Sequence, residues 1–171
     1  METTLRVGDR LVVEKVSPWL RDFHRGDIVV FDGVGSFVPE REDAQGLFKT
    51  VSVAFGIGQS AGDVFVKRVI GVAGDQVRCC ATSGALVVNG KELSEPYLFD
   101  GDRPSDLTFD VLVPQGKLWV LGDHRSVSAD SRAHLGSPGG GMVSTDRVIG
   151  VARWVMWPRT RIGSLMTESE K

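Results

Sequence analysis

Two stretches of this chain carry side chains suited to proton transfer. The first is Gly122-Asp123-His124-Arg125-Ser126-Val127-Ser128-Ala129-Asp130-Ser131-Arg132, which packs two carboxylates, three hydroxyls and two arginines into one short run. Asp130 with Arg132, or Asp123 with Arg125, can pair as charge-assisted clamps. The plainer alternative is a solvated turn. The second stretch centres on Lys67, inside Val64-Phe65-Val66-Lys67-Arg68-Val69-Ile70. Period-two alternation puts Phe65, Lys67 and Val69 on one face and Val64, Val66 and Arg68 on the other. An amine set between apolar side chains loses hydration of its charged form, so its pKa falls from about 10.4. A lysine tuned in that way can act as a general base. The alternative is a lysine that reaches water along an edge strand.

Other chemistry has less support. His24, His124 and His134 are the only histidines. His124 and His134 flank Asp123 and Asp130, but no compact His-Glu-x-x-His spacing occurs, and no metal is expected. Gly71-Val72-Ala73-Gly74-Asp75 lacks the Lys-Ser/Thr that a phosphate loop needs, and no cofactor is expected. Arg25-Gly26-Asp27 reads as a turn entering a strand. Cys79 and Cys80 are adjacent. They are two ordinary thiols, a vicinal disulfide, or half of a thiolate site with no further cysteine to complete it.

The elements that must position these groups read mostly as strands. Leu11–Val13, Asp27–Phe31, Val64–Val72, Ala85–Val88, Leu107–Val113, Lys117–Leu121 and Arg147–Trp157 are short apolar or alternating runs bounded by turn residues. Asn89-Gly90 is a hairpin signal, with the return through Lys91-Glu92-Leu93. The fold class is therefore mostly β, a sandwich or coiled antiparallel sheets. Residues 33–62 read as an insertion, 133–145 as a flexible loop and 159–171 as a polar tail that frays, within a single domain spanning 1–171.

Composition sets outer limits. With 171 residues, 20 Lys+Arg against 22 Asp+Glu and a net charge of −2, the chain lacks the basic excess of a dedicated nucleic-acid binder. Hydrophobic residues at 42% and charged ones at 25% fit a folded chain. No apolar run approaches the roughly 20 residues of a membrane span, and no signal peptide opens the chain.

In combination, the motifs resemble a family. Lys67 to Asp75 resembles the lysine box of type I signal peptidases. Gly122 to Arg132 resembles their Gly-Asp-Asn…Ser-x-Asp-Ser-Arg box. Gly26-Asp27-Ile28-Val29-Val30-Phe31 resembles the strand between nucleophile and lysine, and Met1 to Asp9 resembles the segment directly after the catalytic serine. The four occur in family order over nearly the whole chain. His124 and the adjacent cysteines resemble the actinobacterial branch.

The resemblance implies coiled antiparallel sheets and a membrane-anchored serine endopeptidase on the outer face of the plasma membrane. Its substrates would be the signal peptides of secreted preproteins, cleaved by a Ser-Lys dyad with no metal or cofactor. By position, Lys67 would be the general base and Ser128 would orient it. Asp123, Asp130 and Arg132 would support the loop. Met1, Leu5 and Val66 would line shallow pockets for small side chains, with the substrate bound as an added strand.

The departures concern the start of the chain. The family's serine would stand immediately before Met1, and neither it, the upstream oxyanion-hole donor nor the anchor is in the sequence. A misassigned start, with the methionine after the serine taken as residue 1, is the favoured explanation; a truncation or pseudoenzyme is the other. Thr3 and Ala73 replace family prolines. Two rivals are a LexA-like Ser-Lys peptidase and a non-catalytic β domain that binds peptides along an open edge. Trp154, Met156 and Trp157 are candidates for contact with a membrane surface.

Overall fold

The computed structural model describes residues 1–2, 4–15, 22–39 and 64–165. Eleven strands are present among them. In chain order they are β1 (Arg10–Lys15), β2 (Ile28–Asp32), β3 (Val64–Gly71), β4 (Gln76–Cys79), β5 (Leu86–Val88), β6 (Lys91–Glu92), β7 (Phe109–Leu112), β8 (Lys117–Leu121), β9 (Val143–Ser144), β10 (Val148–Trp157) and β11 (Gly163–Ser164). The larger sheet runs β1-β10-β2-β3-β8-β9, with β11 also on β10. The smaller runs β6-β5-β4-β7. Every pairing between named strands is antiparallel, as the mostly β reading expects.

Alternation along β3 and β8 builds two cores. Val69, Leu118 and Val120 join Val29, Phe31, Val143, Val148 and Val151 on one face of the larger sheet. Their neighbours Ile70, Trp119 and Leu121 turn to the other face and meet Val77, Leu86, Val88 and Phe109 of the smaller sheet. Both faces of these central strands are thus dry, which is why they read as near-continuous apolar runs. The smaller sheet's hairpin turns at Asn89 and Gly90, with φ of 52° and 80°. Positive φ at both central residues is what an Asn-Gly hairpin turn requires.

Three expectations change. The start of the supposed insertion is core: Phe37 is buried and its ring meets those of Phe31 and Phe65 at 5.3 and 5.4 Å. Most of that insertion, including the apolar patch Val51–Phe55, lies outside the described residues. In the stretch 133–145, successive hydrogen-bonded turns lead to β9, which pairs Val143 with Leu118 and Ser144 with Lys117. After Trp157 the chain does not fray at once. Residues Arg159–Arg161 form a 3-10 turn, and β11 pairs Ser164 with Trp154 and Gly163 with Val155. Backbone pairing along β10 outweighs the polar composition of these residues. Cys79 and Cys80 are joined as a vicinal disulfide, the second of the three readings open for them.

Candidate active site

Lys67 lies in the middle of β3, and its alternation determines its surroundings. It shares a face with Phe65 and Val69, both packed in or against the first core, and is itself half-buried. Its Nζ donates to Ser128 Oγ at 2.9 Å. Burial lowers the Lys67 pKa from the ordinary 10.5, against an opposing pull from the Asp130 carboxylate; Arg132 lowers it further and Asp123 raises it. The amine is held near a hydroxyl rather than out in solvent.

Ser128 reaches that position because the loop after β8 is pinned at both ends. Ser131 is buried; its Oγ accepts from the Val120 amide at 3.0 Å and its own amide donates to the Val120 carbonyl at 3.2 Å. Asp130, fully buried, accepts from the Gly122 amide at 3.0 Å and takes a two-pronged bond from Arg132, Nε at 2.9 Å and the second nitrogen at 2.8 Å. Arg132 also donates to the Arg125 carbonyl at 2.8 Å. Gly122 has no room for a side chain: an added Cβ would stand 2.2 Å from Ser128 Oγ and 3.7 Å from Lys67 Nζ.

Asp123 does not pair with Arg125, the partner that sequence spacing suggested. It is buried against Arg68, which donates through Nε at 2.9 Å and through a terminal nitrogen at 2.8 Å. Arg68 sits on the opposite face of β3 from Lys67, 2% exposed, with its guanidinium 3.9 Å above the Tyr97 ring. Arg125 instead pairs with Glu95 and donates to the carbonyls of Gly122 and Pro104, at 2.8 and 2.7 Å. Burial and the Glu95 carboxylate push the Tyr97 hydroxyl well above its usual range, keeping that ring neutral under the cation. Arg68, Tyr97 and Glu95 were not singled out from sequence. The one available signal was an arginine at a position of β3 whose period faces the inter-sheet core.

The N-terminal segment closes on the same place. Thr4 Oγ1 donates to Asp123 Oδ2 and accepts from Arg68 at 3.2 Å. Glu2 bonds to His124 Nδ1 at 2.8 Å, and His124 stacks on Phe99 at 3.9 Å. The Met1 amine has a lowered pKa, chiefly from burial; Asp123 pulls it up and the Lys67 charge pushes it down. The chain start therefore lies within electrostatic reach of Lys67 and Asp123. Leu5 is half-buried and its amide donates to the Met1 carbonyl at 2.6 Å. Val66 is half-buried on β3 beside Lys67 and is paired with Val30.

The histidines do not assemble a metal site. His124 is taken by Glu2 and Phe99, and His134 stacks on Phe37 at 4.5 Å. Among the described residues no group of three His, Cys, Asp or Glu side chains could hold a metal ion.

Comparison with known proteins gives a consistent result. The family model described as "Signal peptidase, peptidase S26" matches residues 1–157. A relative named "Probable signal peptidase I", from Mycobacterium leprae, is 37% identical, over 96% of this chain and 68% of its own length. "Signal peptidase I" of Mycobacterium tuberculosis H37Rv is 36% identical, over 95% of this chain and 64% of its own. "Probable signal peptidase I-2" of Synechocystis is 34% identical, over 100% and 65%. The chain thus spans about two thirds of the length of the curated relatives it matches, and two of these three are actinobacterial. On the strength of a family match running from Met1 to Trp157, this chain belongs to the signal peptidases of peptidase family S26.

Proposed function

We propose that this chain is the catalytic region of a serine endopeptidase that removes signal peptides from secreted preproteins, with Lys67 as its general base. The observation that carries the reading is the half-buried Lys67 amine, 2.9 Å from Ser128 Oγ, beside the N-terminal segment. The nucleophile would be the serine that the family sets immediately before the residue matching Met1. Neutral Lys67 spends one N–H on Ser128, which directs its lone pair elsewhere. That lone pair takes the serine proton as the serine oxygen attacks the scissile carbonyl. The resulting ammonium then gives its proton to the departing amine, leaving an acyl-enzyme. Lys67, neutral again, takes a proton from water as water attacks the ester, and returns it to the serine oxygen as that bond breaks.

The remaining groups serve that amine. Asp130 and Arg132 would hold Ser128 in place, and Asp123 would hold the N-terminal segment through Thr4. Met1, Leu5 and Val66 would line pockets that exclude bulk, giving preference for small residues at the −1 and −3 positions. No helix among the described residues is long and apolar enough to cross a membrane. Contact with the outer face of the plasma membrane is supported instead by Trp154, Met156, Trp157 and Ile162, exposed side chains on or just after β10.

The test is to extend the chain ahead of Met1 by a short peptide ending in serine and assay cleavage of a preprotein with alanine at −1 and −3. Cleavage should appear, be lost with alanine in place of that serine, and fall by about 10³-fold in Lys67→Ala. The acid limb of its kcat/KM profile should lie below the pKa of an ordinary lysine. Equal cleavage by Lys67→Ala contradicts the proposal.

A further inference from the structure

The N-terminal segment is held from a second direction by a residue that the family match does not include. That match ends at Trp157. Four residues on, Arg161 closes the 3-10 turn, its amide donating to the Pro158 carbonyl at 2.8 Å. One of its terminal nitrogens contacts two groups of the N-terminal segment at once: the Thr4 carbonyl at 3.0 Å and Asp9 Oδ2 at 3.1 Å. The Asp9 side chain is only 3% exposed. The same carboxylate accepts from the Arg6 amide at 2.9 Å, and the Asp9 amide donates to the Arg6 carbonyl at 3.0 Å.

We propose that Arg161 is a positioning residue, which with Asp9 clamps the segment from Thr4 to Asp9 against the catalytic framework. The proposal rests on the functional reading above, because it is the serine ahead of Met1 that this segment would aim. Thr4 is the pivot. Its side chain is tied to Asp123 and Arg68 at the floor of the site, and its carbonyl to Arg161 at the rim. A residue held at both side chain and carbonyl has little freedom to rotate, and Leu5 passes the constraint to Met1 through its bond to the Met1 carbonyl. Arg161 itself is anchored on both sides. Pro158 precedes it in the turn, and after it β11 pairs with β10 while the Leu165 amide donates to the Arg153 carbonyl at 2.8 Å. Residues 158–165 act as a strap from which the Arg161 cation meets a buried carboxylate. A nucleophile displaced by a fraction of an ångström loses rate more than affinity, so the clamp should register in kcat.

The experiment uses the serine-extended chain with Arg161→Met and Arg161→Lys. Amide hydrogen exchange of residues 4–9 reads the clamp, steady-state cleavage reads its consequence, and thermal unfolding shows that each variant is folded. In Arg161→Met, exchange at the Leu5 and Asp9 amides should rise about tenfold, with kcat down about tenfold and KM within about threefold. Arg161→Lys should recover most of both, since one nitrogen carries both contacts. If Arg161→Met does not fold, Asp9→Asn removes the charge pair at the same point and should raise exchange in 4–9. Unchanged exchange in a folded variant overturns the clamp, and so does a loss of kcat that lysine fails to restore. If the parent chain cleaves nothing, the functional reading fails while exchange still decides the clamp.

Discussion

At the scale of single residues, the account turns on what a buried amine costs and what it gains. Lys67 has its pKa lowered by desolvation from the ordinary 10.5. Between that lowered value and 10.5 the unfolded chain binds more protons than the folded one, so stability rises with pH across this window. Below it the full cost of burying the cation is present. Lys67→Met should therefore raise the melting temperature near pH 6, with the gain shrinking as pH climbs toward 10.5. At this length each kcal/mol gained moves Tm by about 2–4 °C, so the effect is readable as a melting shift. Differential scanning calorimetry across that range checks it, and a gain independent of pH would contradict it. Lys67 was legible in sequence because period two placed it between Phe65 and Val69. Ser128 was legible only through the resemblance of its loop. The Asp123–Arg68 pair was not, because spacing favours near neighbours such as Arg125, whereas the actual partner comes from a strand 55 positions away.

At the scale of elements, strands bounded by turn residues were readable, but apart from the β5–β6 hairpin their pairing was not. Lys117–Leu121 forms β8 with the expected bounds, and the Asn-Gly hairpin turns where its φ preferences require. β4 went unassigned, because Gln76-Val77-Arg78-Cys79 is too short a run to stand out, yet it is central to the smaller sheet. β11 escaped because its two residues, Gly163 and Ser164, carry no strand signal and owe their conformation to β10. The loop after β8 depends on one absent side chain. Gly122→Ala would press a methyl onto Ser128 Oγ. It should leave the sheets intact, break the Lys67–Ser128 bond and cut cleavage by about 10²-fold. A crystal structure of the variant with the 2.9 Å contact retained would contradict this.

At the scale of the whole molecule, the smaller sheet packs on one face of β3 and β8 and a second core covers the other, so the interior is dry on both sides of Lys67's strand, and the site opens beside the N-terminal segment. Exposed apolar surface gathers toward one end of β10. Trp154, Met156, Trp157 and Ile162 are 46%, 57%, 52% and 56% exposed, and Val12 of β1, at 40%, is the pairing partner of Trp154 on β10. Tryptophan favours the headgroup layer, so this patch should rest on lipid and hold the site near a membrane surface. Replacing Trp154 and Trp157 with serine should lower co-sedimentation with phosphatidylethanolamine–phosphatidylglycerol vesicles several-fold. Unchanged co-sedimentation would show that the patch does not touch lipid. The patch was visible in sequence only as three apolar letters; their exposure depends on β10 lying beside the edge strand β1. The most direct test of the account is the Lys67 amine itself, followed by NMR through its side-chain carbon and nitrogen shifts as pH is raised. The midpoint should lie below that of a free lysine, and lower still when Asp130, whose carboxylate pulls it up, is replaced by asparagine. A midpoint at the ordinary lysine value would mean the amine is solvated, and the proposed base would have no basis.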